Sequence, residues 1–392
     1  MLELDAVGTL AFGGVALLLG SLIRRHLPVL ARYNIPTPVI GGLLVATAIA
    51  IARTQDVTLV KFDTTLQSPL MIAFFTSVGF SASPALLRSG GPQMLWLLAL
   101  VSVLAVVQNL VGGAIATAFG LHPLFGVLSG SVTLTGGPAT GLAFAPLFEQ
   151  SGVHGAATIA VAMGMAGIVS GSVLGGPIAT LLIERYKLRG GEPLTPLTPL
   201  VPLEADADTH TTLRNLIVML IAMWIGSWIS RGVAALEITL PAYVGAMIVG
   251  AAIRAVDDVT GWIGLSQRTL DTIGNICLSL FLALALMTLK LWELAGLAMP
   301  LAVNLIVQIV VVVMFCFLCF RMLGRDYDAA VTSGGFIGFM LGTTANAVAV
   351  MRALVERYGA APRAFLVAPI VGAFFLDFTN ALIITTFVNV WR

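Results

Sequence analysis

Long apolar stretches follow one another along almost the whole chain, separated by short polar, glycine- or proline-containing segments. A helix needs about 20 apolar residues to cross the hydrocarbon core of a bilayer. The stretches are continuous and do not alternate as in a membrane barrel. The pattern therefore predicts an all-α polytopic membrane protein. Ten spans are predicted, at residues 6–23, 35–52, 69–87, 93–119, 155–183, 214–231, 241–254, 272–289, 297–320 and 364–389.

Two further segments, at about 123–150 and 327–352, are too rich in Gly, Ser and Thr for ordinary spans. They contain the sequences GSVTLTGGPATG (130–141) and SGGFIGFMLGTTANA (333–347). Non-helical backbone at membrane depth is tolerated only where it is buried in protein or lines a cavity. We therefore predict that each segment is a re-entrant hairpin that enters and leaves the membrane on one side.

The basic residues give a test of this topology. With the N-terminus outside, 15 of the 20 Lys and Arg residues fall on the cytoplasmic side, as the positive-inside rule requires. Letting either hairpin cross the membrane would reverse the sidedness of everything after it. Both termini are therefore predicted to be periplasmic. The net charge of +1 gives no reason to expect a nucleic-acid partner.

The chain also repeats itself weakly at offsets near 200–207. PTPVIGGLLVA (36–46) resembles PAYVGAMIVGA (241–251), Gln108 has a counterpart in Gln308, and LFEQSG echoes LVERYG. Each half has an odd number of crossings plus one hairpin, so the second half must be inverted relative to the first. We predict two inverted five-helix repeats, a common plan of secondary transporters. Their ranges are 1–183 and 214–392, joined by a proline-rich cytoplasmic linker at 184–213.

Asp377 is a lone carboxylate in the apolar stretch 365–390. Placing a carboxylate in hydrocarbon costs about 2.5–3.5 kcal/mol on insertion scales, so an intramembrane acid is a functional candidate. Asn380 shares its helix face. Carboxylate, amide and hydroxyl oxygens suit sodium or a proton. The alternative is an acid that only bonds a neighbouring helix. Gln108 and Gln308 are predicted to bridge helices rather than to touch a ligand.

Further features bear on the class of function. No Lys or Arg lies deep in a span. Unless a hairpin flank such as Arg352 reaches an anionic substrate, helix-end dipoles, backbone N–H groups and co-bound cations would have to offset its charge. The spacing CFLC has no histidine or carboxylate beside it, which argues against a further metal site. No Ser/His, paired Asp or HExxH arrangement lies within the spans, so we do not expect an enzyme or an organic cofactor.

At these residues the chain resembles the glutamate–sodium symporter family of bacterial inner membranes. The likeness runs nearly end to end and is most specific in TPVIGGLLVA, SPLMIAFFTSVGFSA, GNICLSLFLALALMTLKLWELA, GRDYDAAV and AFLVAPIVGAFFLDFTNALI. The resemblance implies sodium-driven import of L-glutamate or a similar anionic amino acid in the inner membrane. It also implies a lipid-embedded homodimer that works by elevator-type alternating access, in which a mobile domain carries the substrate past a fixed scaffold.

On this interpretation the two hairpin tips hold the substrate and the last span helps to hold sodium. The candidate substrate residues are Thr135, Gly136, Gly137, Thr140, Thr343, Thr344 and Asn346, and the candidate sodium residues are Asp377, Asn380 and Thr135. The first tip reads GGPATG where the family typically has GGHGTG, which leaves the substrate range open. The alternative function is a sodium–proton antiporter that uses Asp377.

Overall fold

The structure is a computed structural model that describes residues 2–55, 60–83, 91–191, 209–236, 238–294 and 296–391. Within these ranges nearly all regular structure is helical, apart from the two-residue strands Leu2–Glu3 and Val60–Lys61, which pair in parallel. Six of the described helices are long and apolar enough to cross a membrane. The prediction of an all-α polytopic membrane protein is confirmed.

The helices of the first half form where apolar runs occur and end where polar residues, glycine or proline interrupt them. Asp5, for example, caps the first helix by accepting a hydrogen bond from the N–H of Gly8 at 2.7 Å. A π-helical turn, Leu128–Val132, extends the sixth helix. The helices are α1 (Ala6–His26), α2 (Pro28–Arg32), α3 (Thr37–Arg53), α4 (Gln67–Phe80), α5 (Gly91–Ala118), α6 (Pro123–Val127), α7 (Gly137–Gln150) and α8 (Ala156–Arg185).

The second half follows a similar order of long and broken helices. A 3-10 turn, Leu291–Leu294, precedes α12, and a π-helical turn, Val371–Phe375, joins α15 to α16. The helices are α9 (Thr209–Ala234), α10 (Ala242–Thr260), α11 (Gln267–Met287), α12 (Ala298–Met322), α13 (Tyr327–Met340), α14 (Thr344–Tyr358), α15 (Pro362–Ile370) and α16 (Leu376–Trp391).

Each of the ten predicted spans contains helix in the described part of the chain. The third differs from the prediction, because α4 ends at Phe80 rather than near 87. The hydroxyls of Ser81 and Ser83 bond the carboxylates of Asp271 and Asp258 on neighbouring helices. A proline follows Ser83 and disfavours helical backbone there. The rest of the predicted span, from 84 onward, lies outside the described residues.

The predicted linker at 184–213 falls largely outside the described residues, which omit 192–208. Its described ends are helical, since α8 continues to Arg185 and α9 begins at Thr209. The end of α8 is held against α14 by Glu184, whose Oε1 accepts a hydrogen bond from the Tyr358 hydroxyl at 2.8 Å.

The helices pack into two groups that touch each other sparsely. The scaffold group comprises α1, α3, α4, α9, α10 and α11, and the hairpin group comprises α5 to α8 and α12 to α16. Within each group the helices pack along their lengths. One contact between the groups is the edge-on packing of Phe144 in α7 against Tyr243 in α10, with ring centroids 5.3 Å apart. The two broken helix pairs, α6–α7 and α13–α14, both belong to the hairpin group.

Candidate substrate and cation site

The first broken pair opens at two glycines. Gly130 has φ −101° and ψ −123°, outside the helical region, although helix lies on both sides of it. The chain then runs without helix from 135 to 136, and α7 begins at Gly137 with φ +70°. Glycine adopts this left-handed φ without steric cost, and Pro138 pre-sets φ in the first turn of α7. The sequence TGGP thus ends one helix and starts another.

The second pair breaks between Met340 and Thr344. Leu341 has φ −120° and ψ 8°, and Thr343 is extended with φ −141° and ψ 166°. The Thr343 hydroxyl oxygen accepts a hydrogen bond from the Asn346 N–H at 3.4 Å, so Thr343 caps α14. Threonine is among the favoured residues at this position. The break therefore follows from local sequence, as it does in the first pair.

The two breaks meet in space. A Cβ atom built on Gly137 would lie 3.3 Å from Cγ2 of Thr343 and 3.6 Å from the carbonyl oxygen of Gly342. Since α7 and α14 both begin at this point, the N-terminal ends of two helices lie side by side. Each such end carries unpaired N–H groups and about half a positive charge. The geometry suits an anionic group such as a carboxylate.

Gln108 in α5 joins the two breaks. Its Oε1 accepts a hydrogen bond from the Thr135 hydroxyl at 2.7 Å, and its Nε2 donates to the backbone carbonyl of Met340 at 3.1 Å. Gln308 in α12 donates from Nε2 to the backbone carbonyl of Gln108 at 2.8 Å. Both glutamines are fully buried. The prediction that they bridge helices is confirmed.

A glycine face on α8 lets the breaks approach this helix closely. A Cβ on Gly164 would lie 3.0 Å from Pro138, and one on Gly167 would lie 2.6 Å from the carbonyl oxygen of Leu341. Farther along the helix, a Cβ on Gly175 would lie 3.0 Å from the carbonyl oxygen of Gly334. Any side chain at Gly167 would push the second break away. The glycines of α8 therefore allow both broken helix pairs to pack closely against this helix.

Side-chain amides surround Ser131 at the first break. The Ser131 N–H donates to Oδ1 of Asn109 at 3.1 Å, and its carbonyl oxygen accepts from Nδ2 of Asn380 at 3.1 Å. Buried polar atoms normally have hydrogen-bond partners. Among the described residues, those buried here without one include Ser131 Oγ, Asn380 Oδ1, Gln308 Oε1 and Asn109 Nδ2. Three of these four atoms are oxygens, which is the chemistry that a small hard cation requires.

Asp377 lies in the first turn of α16, just after the π-helical turn. It is half-buried, and within the described residues no hydrogen bond or ion pair reaches its carboxylate. The turn itself touches the second break, because the Thr344 hydroxyl donates to the backbone carbonyl of Gly372 at 2.7 Å. A Cβ on Gly372 would lie 2.9 Å from that hydroxyl oxygen. The acid therefore sits beside a turn that the second break holds.

The structure unites some candidate residues and separates others. Gly137 and Thr343 lie next to each other where the two breaks meet. Thr140 is buried, and its side chain packs against Gly136. Thr135 instead bonds Gln108. Asn346 is fully buried, with its side chain engaged by protein groups, while its neighbour Ala345 is exposed. Asn380 lies at Ser131, whereas Asp377 makes no described bond. The ligand roles of all these residues stay predictions.

Comparison with known proteins identifies the family. Residues 2–360 match the family model described as sodium/glutamate symporter. The sodium/glutamate symporter of Escherichia coli strain K12 is 39% identical over 390 residues, which cover 98% of this chain and 97% of that protein. The protein of the same name from Haemophilus influenzae is 38% identical over 385 residues, covering 96% of this chain and 95% of that protein. The chain belongs to the sodium/glutamate symporter family.

Membership confirms the resemblance seen in the sequence and makes the chain a multi-pass membrane transporter and not an enzyme. A solved structure of a sodium–proton antiporter from Methanocaldococcus jannaschii aligns with 98% of this chain and 97% of its own. Its sequence identity is 13% and its TM-score 0.39. A likeness at that level supports no conclusion about function.

Sequence reasoning missed three polar residues around the site. Ser131 lies within the predicted first hairpin without a pattern that assigns it a role, and no pattern selects Asn34 or Ser172. Asn34 and Ser172 both donate to Oδ1 of Asn346, at 3.1 Å and 2.7 Å. Asn34 carries one local signal, because an asparagine before Ile-Pro suits a turn with positive φ. Nothing local reveals which distant residue its side chain meets.

Proposed function

We propose that this protein is a sodium-coupled secondary active symporter that imports L-glutamate or a close anionic amino acid. The observation that supports this most directly is the contact of Gly137 with Thr343, which brings two helix N-terminal ends together. Residues 123–150 and 327–351 contain no lysine or arginine. An anion bound there would be met by backbone N–H groups, hydroxyls and helix ends rather than by a basic side chain. The relatives named sodium/glutamate symporter supply the substrate assignment.

The carboxylates of the substrate would lie at the starts of α7 and α14. Gly136, Gly137 and Thr140 would serve one side, and Thr343 and Thr344 the other. Glutamate also carries an ammonium group, which needs an acceptor. The fully buried amide oxygen of Asn346, next to the second break, provides an acceptor that is already oriented.

Sodium would bind between the two breaks and α16, the helix that carries Asp377 and Asn380. Asp377 supplies the charge, and Asn380 and Thr135 supply oxygens, as predicted from the sequence. The buried hydroxyl oxygen of Ser131, which lacks a partner and whose residue contacts Asn380, extends this set. A cation there would strengthen the field on a bound anion, and by reciprocity the anion would raise the affinity for the cation. Coupling then follows from electrostatics alone, without an organic cofactor.

The movement would be of the elevator type. The scaffold group and the hairpin group are each well packed, and the contacts between them are sparse. Both breaks, α8 and α16 belong to the hairpin group, so a bound substrate and its sodium would move with that group as one body. Two inverted five-helix repeats, at 1–183 and 214–392, would place the two breaks at corresponding positions.

The assembly would be a homodimer in the bacterial inner membrane, with both termini periplasmic. The outer face of α9 in the scaffold group is apolar and open, with Trp224 64% and Trp228 57% exposed. Lipid or a second copy would cover this face. The cytoplasmic excess of basic residues supports the orientation.

The function is tested with the purified full-length protein in liposomes. Labelled L-glutamate should accumulate under an inward sodium gradient and not when choline replaces sodium. Unlabelled aspartate and α-methylglutamate should compete to an extent that defines the substrate range. Glutamate uptake that is equal with and without the sodium gradient would refute the coupling.

The same liposomes, loaded with a pH dye, separate this function from a sodium–proton antiporter. An antiporter would move protons when sodium is added whether or not glutamate is present. A symporter should show sodium-22 entry that depends on glutamate. Proton flux without any amino-acid dependence would overturn the proposal in favour of the antiporter.

A further inference from the structure

One hydrogen bond ties the second break to the scaffold side of the molecule. Asn34 lies in the turn between α2 and α3, and its Nδ2 donates to Oδ1 of Asn346 at 3.1 Å. Asn346 belongs to the hairpin group and is one of the substrate residues that the sequence predicts. The turn leads directly into α3 of the scaffold group. The bond therefore crosses the boundary between the two groups at the candidate site itself.

The orientation of the Asn346 amide is fixed by its other partners. Nδ2 of Asn346 donates to the backbone carbonyl of Ile168 at 2.8 Å, so Oδ1 is the atom that faces Asn34. The same Oδ1 accepts from the Ser172 hydroxyl at 2.7 Å. Ile168 and Ser172 both lie on α8, within the hairpin group. Asn346 thus presents one acceptor oxygen, with one donor from its own group and one from the scaffold side.

Asn34 is held rigidly for this contact. Its φ is +54°, a left-handed conformation that asparagine tolerates better than most residues. Its N–H donates to the carbonyl of Ala31 at 3.0 Å, and the N–H of Ile35 donates to the carbonyl of Leu30 at 3.0 Å. Ile35 also packs in the same apolar cluster as Leu142 of α7. The turn therefore contacts the second broken pair through Asn346 and shares an apolar cluster with the first.

We propose that Asn34 is a gate residue that competes with the substrate for Asn346. In the empty carrier its amide occupies, at Oδ1 of Asn346, the place that the ammonium group of an amino-acid substrate takes in the loaded carrier. Substrate binding then breaks the tie between the groups. This inference rests on the proposed function, because it requires an amino-acid substrate at Asn346.

Removing the Asn34 amide removes a competitor, so glutamate should bind more tightly. The net contribution of a neutral hydrogen bond corresponds to about a two- to tenfold change in an equilibrium constant. Removing the Ser172 hydroxyl deletes a donor to the same oxygen without releasing the scaffold tie. That change should not tighten glutamate binding.

The test uses Asn34→Gly, because glycine keeps the left-handed backbone and deletes only the side chain. Ser172→Ala is the matched control. For wild type and both variants, glutamate dissociation constants are measured in saturating sodium by isothermal titration calorimetry. Thermal unfolding is recorded with and without glutamate. The expected result is about two- to tenfold tighter binding for Asn34→Gly alone, and a melting temperature lowered without glutamate but not with it.

Two outcomes would overturn the inference. A melting temperature lowered equally with and without glutamate would show that the bond is merely structural and persists in the loaded carrier. Unchanged or weaker glutamate binding in Asn34→Gly would show that the amide does not compete. Failure of the proposed function looks different, because wild type itself would then bind no glutamate in sodium.

Discussion

Nε2 of Gln308 donates a hydrogen bond to the backbone carbonyl of Gln108 at 2.8 Å. These two glutamines hold corresponding places in the weak internal repeat, offset by 200 residues. In a molecule built from inverted repeats, residues near the pseudo-twofold axis meet their own counterparts. The contact therefore supports the predicted repeat. The side chain of Gln108 in turn bonds Thr135 of one break and Met340 of the other.

Replacing Gln108 with leucine should destabilise the protein and impair transport together. The change leaves the Thr135 hydroxyl and the Met340 carbonyl without their partner in a buried place, and each unpaired group costs about 1–3 kcal/mol. Thermal unfolding and initial rates of glutamate uptake measure the two effects. Gln55, which is exposed after α3, provides the control, and Gln55→Leu should change neither. A Gln108→Leu variant as stable as wild type would contradict the bridging role.

Sequence reasoning located the helices and both breaks because these depend on local chemistry. Apolar runs predict spans, and TGGP and GTTAN carry the glycine, proline and threonine that end or cap helices. It could not say that Gln108, rather than a residue of the breaks, would join them. That bond depends on how α5 packs between distant segments. Likewise, the partner of Asn34 lies 312 positions away in the sequence, and no local pattern encodes such a pair.

The boundary error at the third span has a similar cause. The hydropathy of the sequence predicts a third span that ends near 87, but the described α4 ends at Phe80. The hydroxyls of Ser81 and Ser83 find carboxylates on α11 and α10 there. Whether a serine continues a helix or bonds a neighbour is decided by tertiary contacts.

Asp377→Asn should reduce sodium activation of transport without lowering stability. Within the described residues no hydrogen bond or ion pair to this carboxylate would be lost, and removing a charge from an apolar environment lowers the cost of burial. We expect the sodium concentration for half-maximal uptake to rise about tenfold or more, because one unit of ligand charge is lost. Sodium titration of glutamate uptake, with a melting curve beside it, is the measurement. Wild-type sodium activation in this variant would exclude Asp377 from the cation site.

Asp257→Asn is the matched carboxylate control, and the opposite pattern is expected. Asp257 lies near the end of α10 and accepts hydrogen bonds from the N–H groups of Ile263, Gly264 and Leu265 at 2.8, 3.0 and 2.8 Å. Its charge stabilises this turn. The variant should melt at a lower temperature and keep wild-type sodium activation. A shifted sodium titration here would mean that loss of any buried acid perturbs sodium binding.

Asp257 also predicts how stability changes in acid. Burial alone would raise the pKa of this carboxyl, but the hydrogen bonds from Leu265, Ile263 and Gly264 and the charge of Arg254 together lower the pKa below its ordinary value. A lowered folded-state pKa gives stability that is present above the unfolded pKa and is lost as pH falls through the folded one. Below about pH 4, the melting temperature of wild type should fall further than that of Asp257→Asn. If the melting temperatures of the two proteins fall in parallel below this pH, the carboxylate contributes no pH-dependent stability.

Two glycines on α8 provide a further pair of opposite expectations. A Cβ on Gly167 would lie 2.6 Å from the carbonyl oxygen of Leu341, whereas one on Gly176 would meet nothing within 4 Å. Gly167→Ala should cost about 1–3 kcal/mol of stability through overpacking and weaken glutamate binding by displacing the second break. Gly176→Ala should leave glutamate binding unchanged, and its gain in helix propensity should be offset by contact of the new Cβ with the ring of Pro177, the next residue. Similar effects from both changes would remove the argument for close approach at Gly167.

The elevator movement can be stopped by linking the two groups. The side chain of Asn389 in α16 bonds both the N–H and the carbonyl of Thr239, which precedes α10, at 2.8 and 3.0 Å. After Cys277, Cys316 and Cys319 are replaced, cysteines at 239 and 389 should be joined by a short thiol crosslinker. Because 389 lies in the hairpin group and 239 in the scaffold group, the link should abolish net glutamate uptake. Glutamate binding should persist, because the tips lie elsewhere.

A second cysteine pair distinguishes movement between the groups from general damage. Gly191 and Ala360 pair across an isolated antiparallel bridge, and both adjoin helices of the hairpin group. Cysteines there should crosslink under the same conditions and leave uptake intact, because both ends of the link move together. Uptake that survives the 239–389 link would mean that the two groups do not slide past each other. Uptake lost equally with both links would show that crosslinking itself inactivates the protein, and only a difference between the two pairs supports the elevator.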